Sequence, residues 1–161
     1  MCILIDACVF THLFDPENDK HDDYAPLLNW ILSGDGKLVT GGKKYGKELS
    51  RLPKILRIFT ELSKIGKVCA ADSTLVNQKE KELKQQTPKK FNDEHLIAIL
   101  VVSGCLLIST VNTSDIPEIK KKKHYPKRRI PKIYNRKSHT KLLCPNNIAT
   151  FCTGNTISKQ L

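Results

Sequence analysis

Asp6 interrupts an otherwise apolar run, "MCILIDACVF". A lone carboxylate taken out of water costs several kcal/mol unless it is paired or binds a metal. Asp6 therefore requires a partner. Other oxygen-bearing side chains stand at comparable places. Glu48 lies in "KKYGKELSRL", and Asp93 opens the apolar segment "NDEHLIAILVVSG". The run "CLLIST" leads straight into "VNTSD", with Asn112 and Asp115. Each also has an ordinary reading: Asp93 as a helix-dipole partner, Glu48 as surface, Asn112 and Asp115 as turn formers. Together they meet one physical demand. Two carboxylates about 4 Å apart repel by roughly 4 kcal/mol at an effective dielectric near 20, and a divalent cation offsets that. Mg²⁺ and Mn²⁺ take oxygen ligands from one or two carboxylates and keep several waters. Such an ion activates a water and neutralises charge growing on a phosphate, which is what phosphodiester hydrolysis needs.

The elements that must position these groups read as alternating strands and helices. "CILIDACVF" predicts a buried strand with Asp6 towards its carboxyl end. "DYAPLLNWILSG" has helical spacing of Leu27, Leu28, Ile31 and Leu32. "GKLVTG" reads as a strand, "KKYGKELSRL" and "PKILRIFTELSKIG" as helices, and "KVCAA" as a third strand. Pro53 near a helix start and Gly66 at its end fit the usual asymmetry. Asp72 caps the polar helix "DSTLVNQKEKELKQQ", Asn92 is the expected cap of the next, and Gly104 its stop. "CLLIST" is the fourth strand. Beyond it, "PKIYNRK" and "TKLLC" read as strands or ordered loops, with a mobile lysine run before them. Such alternation argues for an α/β fold, a central, mostly parallel sheet flanked by helices. Chemistry in such sheets gathers outside the carboxyl ends of the strands, where strand order reverses.

Charge is the most uneven property of the 161 residues. Residues 1–118 hold all 16 acids against 15 Lys and Arg, a net of −1; residues 119–161 hold 12 Lys and Arg and no acid. Eleven of those twelve fall in "KKKKHYPKRRIPKIYNRKSHTK". A patch of this kind is built to meet something negative, and nucleic acid is the expected partner. Lys121, Lys122, Lys123, Lys127 and Arg128 would contact phosphates, as would Arg129, Lys132, Arg136 and Lys137. Tyr125 and Tyr134 among them could stack on unpaired bases or pack against their own loop. A solvated basic loop is the plainer alternative. Prolines and weak amphipathicity argue against a membrane surface.

No apolar run is long enough to span a bilayer, and the first ten residues are short for a signal peptide, so the chain reads as one soluble, cytoplasmic domain over 1–161. Its six cysteines form no CxxC pair and read as buried thiols in a reducing compartment. Among the histidines, His95 reads as solvent-facing, His12 could lie near the site and His139 near phosphate.

The order of these pieces resembles the PIN domain, a small α/β nuclease fold of bacterial toxin–antitoxin systems and RNA-processing enzymes. "ILIDACVF" resembles its opening strand and "GKELSRL" its Glu-bearing helix. "NDEHLIAILVVSGCLLIST" resembles its most recognisable segment, through Asp93, Leu96, Ala98, Gly104 and the strand 105–110. The likeness spans about residues 1–115. It implies a three-layer PIN-like fold in which Asp6, Glu48 and Asp93 hold Mg²⁺ or Mn²⁺. The family's fourth acid, two residues after Thr110, is here Asn112, which keeps an oxygen but lacks the charge; Asp115 is the acid that could substitute. Thr110 or Ser109 would add a hydroxyl. Residues 119–141 are then a basic insertion or loop. The implied activity is an endonuclease cutting single-stranded RNA, with DNA as the other possible substrate. The rival readings are an inactive nucleic-acid-binding module, and a toxin or defence effector held by an antitoxin or other regulatory protein. A homo-oligomer is compatible with each.

Overall fold

A computed structural model describes residues 2–126, 129–144 and 152. Five parallel strands form one sheet in the order β3-β2-β1-β4-β5. They are β1 (Cys2–Ile5), β2 (Lys37–Thr40), β3 (Val68–Ala70), β4 (Leu107–Ser109) and β5 (Lys132–Tyr134). Among the described residues seven α-helices accompany them: α1 (Phe10–Phe14), α2 (His21–Leu32), α3 (Lys43–Ser50), α4 (Pro53–Lys64), α5 (Ser73–Lys84), α6 (Glu94–Ser103) and α7 (Ile116–Ile119). The result is an α/β architecture with helices flanking a parallel sheet.

Apolar continuity explains the centre. All four residues of β1 are buried. In α6, eight of ten positions are buried, including Glu94, His95 and Ser103. A helix that is apolar all round must be enclosed, and α6 packs against α5, α3, β1 and β2. The more amphipathic α4 buries Ile55, Phe59 and Leu62 and leaves Leu56 exposed. Asp72 caps α5, its carboxylate accepting from the Leu75 amide at 2.9 Å, a contact of about 1 kcal/mol.

Glycine is required at two turns. Gly104 ends α6 with φ +67°, releasing the chain into β4. Gly42 precedes α3 with φ +75°, and a Cβ there would stand 2.6 Å from Val76 Cγ1. Gly42 thus lets α3 approach α5 and turn Glu48 towards the sheet edge.

Several boundaries differ from the sequence expectation. Asp93, not Asn92, is the N-cap residue of α6. The fourth strand is confined to Leu107–Ser109 within the expected 105–110. "TKLLC" is no strand: a 3₁₀ turn covers Lys137–Leu142. The basic segment is not a plain loop either. It supplies β5 from "PKIYNRK", paired with β4, and a 3₁₀ turn at Lys122–His124. Lys127 and Arg128 lie outside the described residues. Among the described residues no helix is long and apolar enough to cross a membrane.

Candidate active site

The strand order reverses between β1 and β4, since β2 and β3 lie on one side of β1 and β4 and β5 on the other. The residues that leave these two strands at their carboxyl ends are Asp6 and Thr110. The Asp6 amide donates to the Ser109 carbonyl at 2.9 Å, continuing the β1–β4 ladder by one step. Both side chains are buried, and Thr110 Oγ1 donates to Asp6 Oδ2 at 2.8 Å. The other Asp6 oxygen accepts from the Cys8 amide at 3.4 Å, capping the turn Ala7–Val9. These are neutral donors; Asp6 has no lysine or arginine in contact among the described ion pairs. Of the two hydroxyls expected near the site, Thr110 is there. Ser109 instead donates to the Tyr134 carbonyl at 2.7 Å.

Asp93 enters from the start of α6 and Asp115 from the start of α7. The two carboxyl groups lie close enough to act on one another. Burial, the proximity of Asp115 and the negative charge of Asp6 push the Asp93 pKa up to about 7. Closely spaced carboxylates without a compensating charge raise one another's cost of ionisation, and here the rise falls on Asp93. Asn112 serves Asp115: its amide nitrogen donates to Asp115 Oδ2, and its amide oxygen accepts from Ser114 at 2.7 Å. The charge that Asn112 lacks is present on its hydrogen-bond partner, Asp115.

Glu48 arrives from α3. The Tyr45 hydroxyl, one turn earlier, donates to the Ile5 carbonyl at 2.6 Å and locks that helix to the end of β1. Burial raises the Glu48 pKa, with Asp6 adding to the rise against the opposing charge of Lys44. Its partner is His95, whose Nε2 lies 3.1 Å from Glu48 Oε2. The expectation of a solvent-facing His95 is overturned: its residue exposure is 2%. Burial, then the charge of Lys44, pushes its pKa down to about 3. The ring is neutral, and because Nε2 faces a carboxylate we assign the proton to it, so that Glu48 accepts. Lys44, also unforeseen, donates to the Asn92 carbonyl and sets a cation beside Glu48 and Asp93.

Among the described residues no three His, Cys, Asp or Glu side chains stand close enough to enclose a metal ion. The donor set nonetheless fits a hard cation that keeps most of its water. Such an ion takes one or two carboxylates, and Asp93 with Asp115 supplies two, beside Asp6. A groove of about 660 Å³ lined by Phe10, Phe14, Leu52 and Ile55 contains none of these carboxylates. Its floor is apolar, with Asp15, Arg51 and Lys54 at its margin.

The basic segment is largely exposed at Lys121, Lys122, Lys123, Arg129, Lys132, Arg136 and Lys137. Lys121 pairs with Glu118, and Lys123 donates to the Gln86 carbonyl at 3.0 Å. The tyrosines are not stacking platforms. Tyr125 and Tyr134 are 7% and 0% exposed, and their hydroxyls donate to the carbonyls of Ile119 and Asp23. His12 bonds Asn18 at 2.6 Å and stacks on Tyr24, while His139 stands edge-on to Tyr134. Neither is shown in contact with the carboxylates. No protein-family model matches the chain, and no curated protein or solved structure matches it either.

Proposed function

We propose that this chain is a divalent-cation-dependent endonuclease of the PIN type that cuts single-stranded RNA in the cytoplasm. The observation that carries the reading is the gathering of the Asp93 and Asp115 carboxyl groups beside the buried Asp6, at the point where strand order reverses. A cation there would relieve the repulsion that otherwise forces a proton onto Asp93. Asp93 and Asp115 are the proposed direct ligands of Mg²⁺ or Mn²⁺, with Asp6 beside them to hold the ion's waters. Thr110 holds Asp6, Asn112 holds Asp115, and Glu48, held by His95, accepts a proton from water. A bound ion would activate water and neutralise charge on the scissile phosphate. The exposed Lys and Arg of residues 120–141 position the strand through its phosphates without reading bases.

The test is cleavage of single-stranded RNA and DNA with Mn²⁺, Mg²⁺ or EDTA, alongside Asp93→Asn. Metal-dependent cutting that the variant lacks is the expected result, and the preferred strand names the substrate. Equal residual cutting by both proteins, or none with any metal, removes the catalytic claim for the isolated chain. A second reading, a nucleic-acid-binding module without activity, draws on one observation: Glu48 is already engaged by His95. RNA binding without cutting would select it. Co-purification of a protein that silences cutting would select a partner-held toxin or defence effector.

A further inference from the structure

Four cysteines gather on one side of the sheet, away from its carboxyl edge. Register places three of the relevant residues. Cys2 pairs with Lys37, Leu4 with Val39, and Val39 with Cys69. Paired residues share a face and alternate residues along a strand return to it. Cys2, Lys37 and Cys69 therefore lie on the same face. Cys105, just before β4, donates from Sγ to the Cys2 carbonyl oxygen at 3.4 Å. Cys152 is 2% exposed and packs into the same core cluster, its thiol in hydrogen-bonding contact with both Cys69 and Cys2.

The four thiols are not equivalent. Cys2, Cys105 and Cys152 are buried, whereas Cys69 is half-buried on β3, the outermost strand on that side. The contact from Cys152 and the charge of Lys37 favour its thiolate, against burial. A reachable thiolate beside a second, enclosed thiol is the arrangement of a redox-responsive pair, attacking and resolving. The alternative use of clustered cysteines, a metal cage, is not prepared: among the described residues no three such ligands are placed to hold an ion.

We propose that Cys69 and Cys152 form a thiol–disulfide exchange site, whose reactant is a small-molecule disulfide of the glutathione class and whose product is an intramolecular Cys69–Cys152 bridge. The Cys69 thiolate attacks one sulfur of the small disulfide. That S–S bond breaks, a mixed disulfide forms on Cys69, and the released thiolate takes up a proton. Cys152 then loses its proton and attacks the Cys69 sulfur, expelling the second small thiol. Two protein thiols are oxidised and one disulfide is reduced to two thiols. The bridge ties residue 152 to the outer strand of the sheet and leaves the carboxylates untouched, so the inference stands apart from the proposed nuclease activity.

The test incubates the reduced, full-length chain with oxidised glutathione at neutral pH, quenches with an alkylating agent and maps the cysteines by peptide mass. The expected product has lost two hydrogens and links the peptides holding Cys69 and Cys152. Cys152→Ser should stop at glutathione on Cys69, and Cys69→Ser should yield neither species. Glutathione on wild-type Cys69 with no bridge to Cys152 would overturn the proposal. So would a dominant bridge between any other pair. The wild-type map decides by itself if a serine variant fails to fold.

Discussion

The Thr110 hydroxyl donates a 2.8 Å hydrogen bond to Oδ2 of Asp6, a residue 104 positions earlier in the chain. The bond joins the ends of the two strands that flank the reversal of strand order, and both partners are buried. Removing the hydroxyl strands a buried carboxylate oxygen, which costs about 1–3 kcal/mol or more for a charged acceptor. Thr110→Val should therefore lower the unfolding free energy by that amount, read as a lower denaturant midpoint at unchanged slope, and Thr110→Ser should recover most of it. A Val variant as stable as the parent would mean that water reaches Asp6.

Asp93 yields a prediction about metal and pH together. Its pKa is raised to about 7, chiefly by burial, then by Asp115 and Asp6. A carboxyl raised above its unfolded value contributes stability that is complete below about pH 4 and is lost as pH rises through 7. In EDTA, Asp93→Asn should lack that loss and be the more stable protein at pH 8. Mn²⁺ should raise the melting temperature of the parent at pH 8 and leave the variant unmoved, since only a ligand bound to the folded state stabilises it. An equal Mn²⁺ shift in both would place the ion elsewhere.

The neutral, buried His95 slopes the other way. Its pKa is depressed to about 3, so the unfolded chain takes up a proton below about pH 6.5 that the folded chain refuses. Stability contributed by His95 is present above that value and falls away between pH 6.5 and 3, by a few kcal/mol at full extent. His95→Gln keeps a donor for Glu48 but cannot titrate. Urea titrations across this range should show a shallower acid decline for the Gln protein than for the parent. Parallel declines would show that other groups carry the acid sensitivity.

Much of this was legible before the fold was known, for identifiable reasons. The run "CILI" and the centres of "KLVT" and "LIS" are apolar, so their burial follows from hydrophobicity. Asp6 stood out because nothing else in its strand is polar. His95 did not, because "NDEHL" looks like the wet start of a helix. The signal lay further on: "LIAILVV" leaves α6 no solvent face, so its polar residues must find partners inside. The β5 strand was one of two readings of "PKIYNRK", the other being an ordered loop, because the three residues of "KIY" carry too little alternation to decide. The Asp93–Asp115 contact depends on how the turn 111–115 folds back, which Asn112 and Ser114 decide through side-chain hydrogen bonds.

The burial of Tyr134 separates two ways in which the basic segment could bind RNA. Its hydroxyl donates to the Asp23 carbonyl at 3.0 Å, so the ring joins β5 to α2 and offers no face to a base. Lys122, Lys132 and Arg136, in contrast, are exposed. If phosphate contacts carry the affinity, each of these three changed to Ala should weaken single-stranded RNA binding and reduce the salt slope by about 0.7. Tyr134→Phe should lose about 1 kcal/mol of stability with its hydrogen bond, yet bind RNA as the parent does at every salt concentration. Binding titrations from low to moderate salt measure both. A Phe variant with weakened binding and unchanged stability would return the tyrosine to the interface. Alanine variants with unchanged slopes would show that the charge of this segment serves something other than phosphate.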